Sequence, residues 1–228
     1  GLRFSVSLKV SMASAELLEV GMPVMRRRNL LIGAAALATV AACNGAGGAA
    51  ATSPDDMSYG PANAPVTLVE YFSVACPICK QFHEEVFHEI KSKYADTGKI
   101  RIILREVPTH NAHVALGGFQ VARCGGATAD QYLARVGVMF QQQDILDGPS
   151  TSTSDDKLFE IGRSAGLSDQ QLNTCVDDPA GPQRLQRNSD ALSNKYGGSW
   201  GTPLLELNGQ RLQDQADRFG QPRPIRGF

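Results

Sequence analysis

The stretch VACPICKQFH, residues 74–83, carries two cysteines, Cys76 and Cys79, at the spacing i, i+3. Such a pair can clip a metal, staple a loop or shuttle electrons. Structural zinc takes four ligands, usually completed by a second cysteine or histidine pair, and this chain has one CxxC. Of its four histidines, His83, His88, His110 and His113, the last two could share one face of a helix. They stand without acidic or sulfur companions and read as surface or cap residues. Neither a metal site nor a cofactor is expected. A purely structural 76–79 bridge would close a tiny loop and constrain the unfolded chain little.

Redox exchange fits the pair better. Only a thiolate attacks a disulfide, and a helix N-terminus favours an anion through its unpaired N–H groups and its dipole. Pro77 suits the first turn of such a helix, where a missing N–H costs nothing. Cys76 is therefore the candidate nucleophile. A low pKa would also make it a good leaving group, which destabilises the disulfide and makes the pair oxidising. Cys79, one turn further in, is expected to be the less exposed thiol and to act as the resolving cysteine.

Those roles need a strand that ends and a helix that begins at Cys76. Val66–Phe72 (VTLVEYF) is apolar on both faces, as a central strand reads, with Glu70 breaking the pattern. From Cys76 to Tyr94 the apolar residues Phe82, Val86, Phe87, Ile90 and Tyr94 recur at helical spacing. Ile100–Val107 is a second apolar strand, and strand–helix–strand over so short a span predicts a parallel βαβ unit. Helices are expected over Ala112–Cys124, Ala129–Leu146, Asp155–Ala165, Asp169–Val176 and roughly Gln183–Tyr196. Pro203–Leu207 and Gln210–Gln213, joined across Asn208-Gly209, read as a β-hairpin. The fold class is α/β, a βαβ half and a ββ half separated by a helical insertion.

Upstream, Arg26–Arg28 precede an apolar run, residues 30–42, that ends at Cys43. A basic start, a short apolar middle and small residues at its end make a secretory signal, too short for a comfortable membrane span. Val40-Ala41-Ala42-Cys43 is similar to a bacterial lipobox, which would make Cys43 the lipidated N-terminus, although an ordinary cleavage site beside a chance cysteine reads the same way. Arg27-Arg28-Asn29-Leu30-Leu31 is loosely similar to a twin-arginine signal. Residues 1–24 are expected to be an upstream over-read or leader, with translation starting at Met22 or Met25. Residues 25–43 then form the signal, and 44–63 a flexible linker whose first part is mostly Gly, Ala and Ser.

Five cysteines are awkward in an exported protein. With Cys43 assigned to lipid, the other four pair as 76–79 and 124–175. The second bridge would close about 50 residues, worth ~4 kcal/mol in the chain-entropy model; two buried free thiols are the alternative. The net charge of −1 gives no electrostatic pull toward nucleic acid.

Three blocks in order, APVTLVEYF, CPIC followed by KQFHEE, and Gly201-Thr202-Pro203 followed by LLELNG, resemble the DsbA-type thiol:disulfide oxidoreductases of the bacterial envelope. The resemblance runs from Ala64 to Gln213 and implies a thioredoxin fold: first half 64–107, inserted helical domain 108–180, second half and tail 181–228. It implies a cis Pro203 against the active-site disulfide and a Thr202 backbone that pairs with a bound substrate chain. Pro77 and Ile78 join them as substrate-contacting residues. Glu70 holds the place of the family's buried acid, six residues before the first cysteine. There it would accept the Cys79 proton, unless it is a strand-edge glutamate reaching water. Ile78 stands where strong oxidants have histidine, His83 where some members have glutamate, and the tail lacks a clear final helix.

The function implied is disulfide formation or exchange in exported proteins, with their thiols as substrates, a membrane redox partner, and a lipid-anchored location in the periplasm. A monomer is expected, since nothing reads as a dimerisation segment. Alternatives are a reductase or isomerase of the same fold, or a copper-binding or holdase lipoprotein.

Overall fold

The computed structural model describes residues 52–148 and 150–212. The expected targeting segment, Cys43, the start of the expected linker, and the tail from Gln213 lie outside them. Among the described residues five strands, β1 (Met57–Tyr59), β2 (Val66–Phe72), β3 (Ile100–Glu106), β4 (Leu204–Leu207) and β5 (Gln210–Arg211), form one sheet in the order β1-β3-β2-β4-β5. At its centre β2 (Val66–Phe72) and β3 (Ile100–Glu106) run parallel, from Val66 opposite Ile100 to Phe72 opposite Glu106. β4 (Leu204–Leu207) lies antiparallel on the other side of β2, and β5 (Gln210–Arg211) returns beside it. The turn between them places Asn208 at φ 49° and Gly209 at φ 78°, the left-handed pair that a two-residue hairpin demands. The Asn208 side-chain oxygen also accepts the Thr67 N–H at 2.9 Å, which ties the turn to β2.

Part of the stretch expected to be linker is structured. Met57–Tyr59 forms β1, antiparallel to β3. It covers what would otherwise be the open edge of a central strand. Tyr59 is buried edge-on against Phe87, and its hydroxyl donates to the Ala129 carbonyl. Asp56 accepts two hydrogen bonds from the Arg105 guanidinium, at 3.0 and 3.1 Å. Three residues are too few to show a period, so these partners were invisible in the sequence.

The helix expected over Cys76–Tyr94 is a composite. An α-helical turn, α1 (Pro77–Phe82), widens into a π-helical stretch at His83–Phe87. A short α2 (His88–Ile90) and a second π-helical stretch, Lys91–Ala95, complete it. Such bulges cluster at functional sites, and this one begins at His83.

Between β3 and β4 come α3 (Ala112–Arg123), α4 (Ala129–Gln141), α5 (Gln143–Leu146), α6 (Thr151–Ser164), α7 (Asp169–Val176) and α8 (Ala180–Tyr196). Their starts follow capping chemistry. Asn111 caps α3, Ser150 caps α6, and Thr128 with Gln131 and Ser168 with Gln171 form reciprocal capping boxes. Three boundaries differ from expectation, one of them the start of α8, which lies at Ala180, three residues ahead of Gln183. The helix expected over Ala129–Leu146 breaks at Gln142, and α6 starts four residues earlier than Asp155 because Ser150 supplies its cap.

The insertion shares its core with the sheet. One apolar cluster runs from Leu68, Phe72 and Phe87 through Phe119, Tyr132 and Phe140 to Leu158. Gly118 lets α3 approach the segment ahead of Cys76, since a Cβ there would lie 2.7 Å from a Val74 methyl. Cys124, at the end of α3, is disulfide-bonded to Cys175 of α7 across a sequence separation of 51. On the sheet's other face, Tyr196 and Trp200 pack against Val69, Tyr71, Ile103 and Leu192, and Trp200 Nε1 donates to Ser193. Among the described residues no helix is long and apolar enough to cross a membrane.

Candidate active site

Cys76 and Cys79 are both free thiols. The segment that leads from β2 to α1 is held from several sides. Cys76 N–H donates to the Ser73 carbonyl at 3.1 Å, and the Ser73 hydroxyl accepts the Ala75 N–H while donating to the Thr109 carbonyl. From α5, the Gln143 amide donates to the Val74 carbonyl at 2.8 Å. Cys76 is thus fixed as the N-cap residue of α1, with Pro77 in the first turn, and its sulfur accepts the Cys79 N–H at 3.3 Å.

The loop before β4 closes the site. The Thr202–Pro203 peptide is cis. The Thr202 carbonyl lies 3.3 Å from the Cys76 sulfur, and the Thr202 and Thr109 hydroxyls are 2.7 Å apart. Three segments distant in sequence, 73–79, 109–110 and 202–203, therefore meet around one sulfur. With the proline loop packed over Cys76, neither thiol has accessible surface, and Cys79 is the more deeply set of the two, its pKa raised chiefly by burial. Ile78 between them is 57% exposed and Pro77 is exposed as well, which leaves that turn as the reachable part of the motif.

Electrostatics separates the two thiols. The Cys79 thiol, donating to the Cys76 sulfur, is the main reason the Cys76 pKa falls to about 5. Burial opposes the shift, while the Thr202 side chain, the Cys79 N–H and the charge of His110 assist it. Burial pushes the Cys79 thiol far the other way, and the Cys76 sulfur and the Glu70 carboxylate add to the effect. The helix start that the sequence offered as the support for Cys76 thus works through one thiol and one N–H, with help from two loops.

This asymmetry has a measurable consequence. Folding lowers the Cys76 pKa, so its contribution to stability of the dithiol form is complete above the ordinary thiol range, near 9. It is lost as pH falls through about 5. Ultraviolet thiolate absorbance of the reduced protein is expected to titrate with a midpoint near 5. The denaturant midpoint of the reduced form is expected to fall on acidification toward that pH, a fall that Cys76→Ser should blunt.

Glu70 sits in the central strand, opposite Leu104 of β3 and Leu205 of β4, with no exposed surface. The strand-edge alternative is thereby excluded. Its partner is a residue that sequence reading left without a role, His83, whose Nε2 lies 3.1 Å from both carboxylate oxygens. The signal was available only as an offset: His83 falls one helical turn after Cys79. The remaining histidines are apart from this site or on its rim. His113 pairs with Asp155 at 2.7 Å on the surface, His88 is exposed, and His110 is exposed at φ 63° beside Thr109. Among the described residues no three His, Cys, Asp or Glu side chains gather as a metal site would require.

A parallel strand–helix–strand with a CxxC at the helix start, faced by a cis-proline loop, defines a thioredoxin-fold dithiol protein. The chain belongs to the thioredoxin family, whose model matches residues 52–220. Within that family its fold is DsbA-like. It superimposes on α-DsbA1 of Wolbachia pipientis with a TM-score of 0.62 and 26% identity, covering 68% of this chain and 76% of that one. BdbD of Bacillus subtilis, at 21% identity and a TM-score of 0.59, covers 72% of this chain and 88% of its own and shares the fold. In sequence, a Rickettsia bellii protein provisionally named a protein-disulfide oxidoreductase is 28% identical over 160 residues. That match covers 70% of this chain and 60% of the relative, so the chain spans under two thirds of the relative's length.

Proposed function

We propose that this chain is a thiol:disulfide oxidoreductase that oxidises thiols of exported proteins through a Cys76–Cys79 disulfide. The observation that carries this reading is the opposed pair of thiols. Cys76 favours its thiolate and Cys79 its thiol, under a cis-proline loop whose Thr202 carbonyl reaches the Cys76 sulfur. In the oxidised enzyme, a substrate thiolate attacks the Cys76 sulfur and the Cys76–Cys79 bond breaks. Cys79 departs with the electron pair and takes up a proton. A second substrate thiolate then attacks the substrate sulfur of the mixed disulfide, and Cys76 leaves as a thiolate. The substrate has lost two electrons, and a partner disulfide must remove them from the enzyme.

Ile78, Pro77 and the backbone of Thr202 and Pro203 form the contact surface for an extended substrate chain, by strand addition and apolar contact. Export, lipidation at Cys43 and a redox partner in the envelope membrane belong to the same reading, and the segment ahead of Ser53 acts as the tether. The test is the equilibrium of the Cys76–Cys79 pair with glutathione. A potential near about −120 mV is expected for a disulfide donor. A value below about −220 mV would overturn the oxidant reading in favour of a reductase or isomerase.

A further inference from the structure

His83 is a polar ring placed among apolar ones. It stacks on Phe87 at 4.3 Å between centroids with 10° between planes, lies over Phe72 at 5.4 Å, and meets Phe140 at 4.9 Å. It is 3% exposed. Packing alone would be served better by a phenyl ring, because a buried imidazole must repay the loss of its water contacts with a hydrogen bond. The repayment is the contact with Glu70. The stacks leave the ring little freedom, so its Nε2 stays aimed at the carboxylate. Glu70, with no exposure of its own, has this contact as its side-chain hydrogen bond among the described residues.

His83 stands one helical turn after Cys79, its backbone N–H donating to the Cys79 carbonyl, so the ring and the carboxylate it holds adjoin the thiol whose proton must come and go in each half of the exchange; the Glu70 charge raises the Cys79 pKa. Cys79 is fully buried, so solvent does not reach its sulfur directly. Resting on the exchange function proposed above, we propose that His83 is the positioning residue for the Cys79 half of the reaction. It fixes the Glu70 carboxylate and shares with it the proton that Cys79 accepts and returns. When the Cys76–Cys79 bond breaks, Cys79 leaves as a thiolate and takes a proton from the Glu70–His83 pair, which regains one through His83, the member of the pair with residual exposure. When the bond re-forms against a mixed disulfide at Cys76, the Cys79 thiol gives that proton to the pair. Its sulfur then attacks the Cys76 sulfur, and the leaving thiolate departs with the bonding electrons. The π-helical stretch His83–Phe87 begins and ends on the two stacked rings.

The test separates the two half-reactions. Alkylation of Cys76 by iodoacetamide reports the first thiol alone. Closure of a Cys76–glutathione mixed disulfide by Cys79, followed in single turnover, reports the second. His83→Phe keeps the aromatic stack and removes the nitrogen. His83→Gln keeps a donor toward Glu70 that carries no transferable proton, and serves if the phenylalanine variant does not fold. Both are expected to slow closure at least about tenfold, part of the roughly hundredfold or more that a general acid–base group supplies directly, with Cys76 alkylation changed less than about twofold. Glu70→Gln combined with either should be no slower than the slowest single variant, as for residues acting as one unit. Closure at the wild-type rate in a folded His83→Phe or His83→Gln overturns the proposal. A wild-type protein that forms no Cys76–Cys79 disulfide with glutathione overturns the exchange function itself, which is a separate failure.

Discussion

Cys76→Ser is expected to abolish thiol oxidation altogether, while Cys79→Ala is expected to halt the exchange midway. A serine hydroxyl at position 76 forms no bond to sulfur under these conditions, so no mixed disulfide can arise. With Cys76 intact and Cys79 removed, an activated substrate disulfide should leave one substrate per chain trapped on Cys76, visible as a mass shift that reductant reverses. The two Cys79 variants divide on electrostatics. The Cys79 thiol is the main cause of the low Cys76 pKa. Cys79→Ala deletes that donor, so the thiolate titration should move up from about 5 toward the ordinary thiol range. Cys79→Ser retains a hydroxyl donor and should hold the pKa lower than alanine does. Equal titrations for the two variants would mean that the helix start and the Thr202 loop suffice without it.

Glu106→Ala is expected to cost about 3–5 kcal/mol, the penalty for stripping one partner from a buried ion cluster. Glu106 ends β3 with no exposure and accepts from Arg123 Nε at 2.6 Å and Arg184 Nε at 2.5 Å. Asn188 donates to its backbone carbonyl, and Arg123 continues to the Asp55 carbonyl at 2.7 Å. One carboxylate therefore joins the sheet, α3, α8 and the segment that precedes β1. Its loss leaves two guanidinium groups packed against apolar surface. A domain stable by about 5–15 kcal/mol would lose a large fraction of that margin, read as a lower urea midpoint. Replacing Glu106, Arg123 and Arg184 together with apolar residues of similar volume should recover most of the loss. A Glu106→Ala midpoint within about 0.5 kcal/mol of wild type, the range of ordinary surface changes, would show the cluster to be a surface network in effect.

The legible part of this protein was local. An apolar heptapeptide, a CxxC before a helical period, and Asn-Gly between short strands each state their geometry within a few residues. The parallel β2–β3 pair, the helix at Cys76 and the hairpin stand where the sequence put them. Glu70 was legible as an anomaly, because a charge in an otherwise apolar strand breaks a pattern. Glu106 was not: in the expected strand Ile100–Val107, which already carries Arg101 and Arg105, one more charge near the end breaks no pattern. Its burial depends on two arginines from helices 17 and 78 residues further on.

The sequence by itself determined the CxxC pair, the strand–helix junction that carries it and the α/β class, because those depend on neighbours along the chain. Only the tertiary structure decided which groups surround each thiol. The Thr202 carbonyl reaches Cys76 across a separation of 126 residues, and Thr109 reaches Thr202 across 93. His83 lies 13 residues from Glu70 in sequence and on a different element. Hydrogen bonds and burial act over a few ångströms in space. Folding alone sets that distance for residues so far apart along the chain.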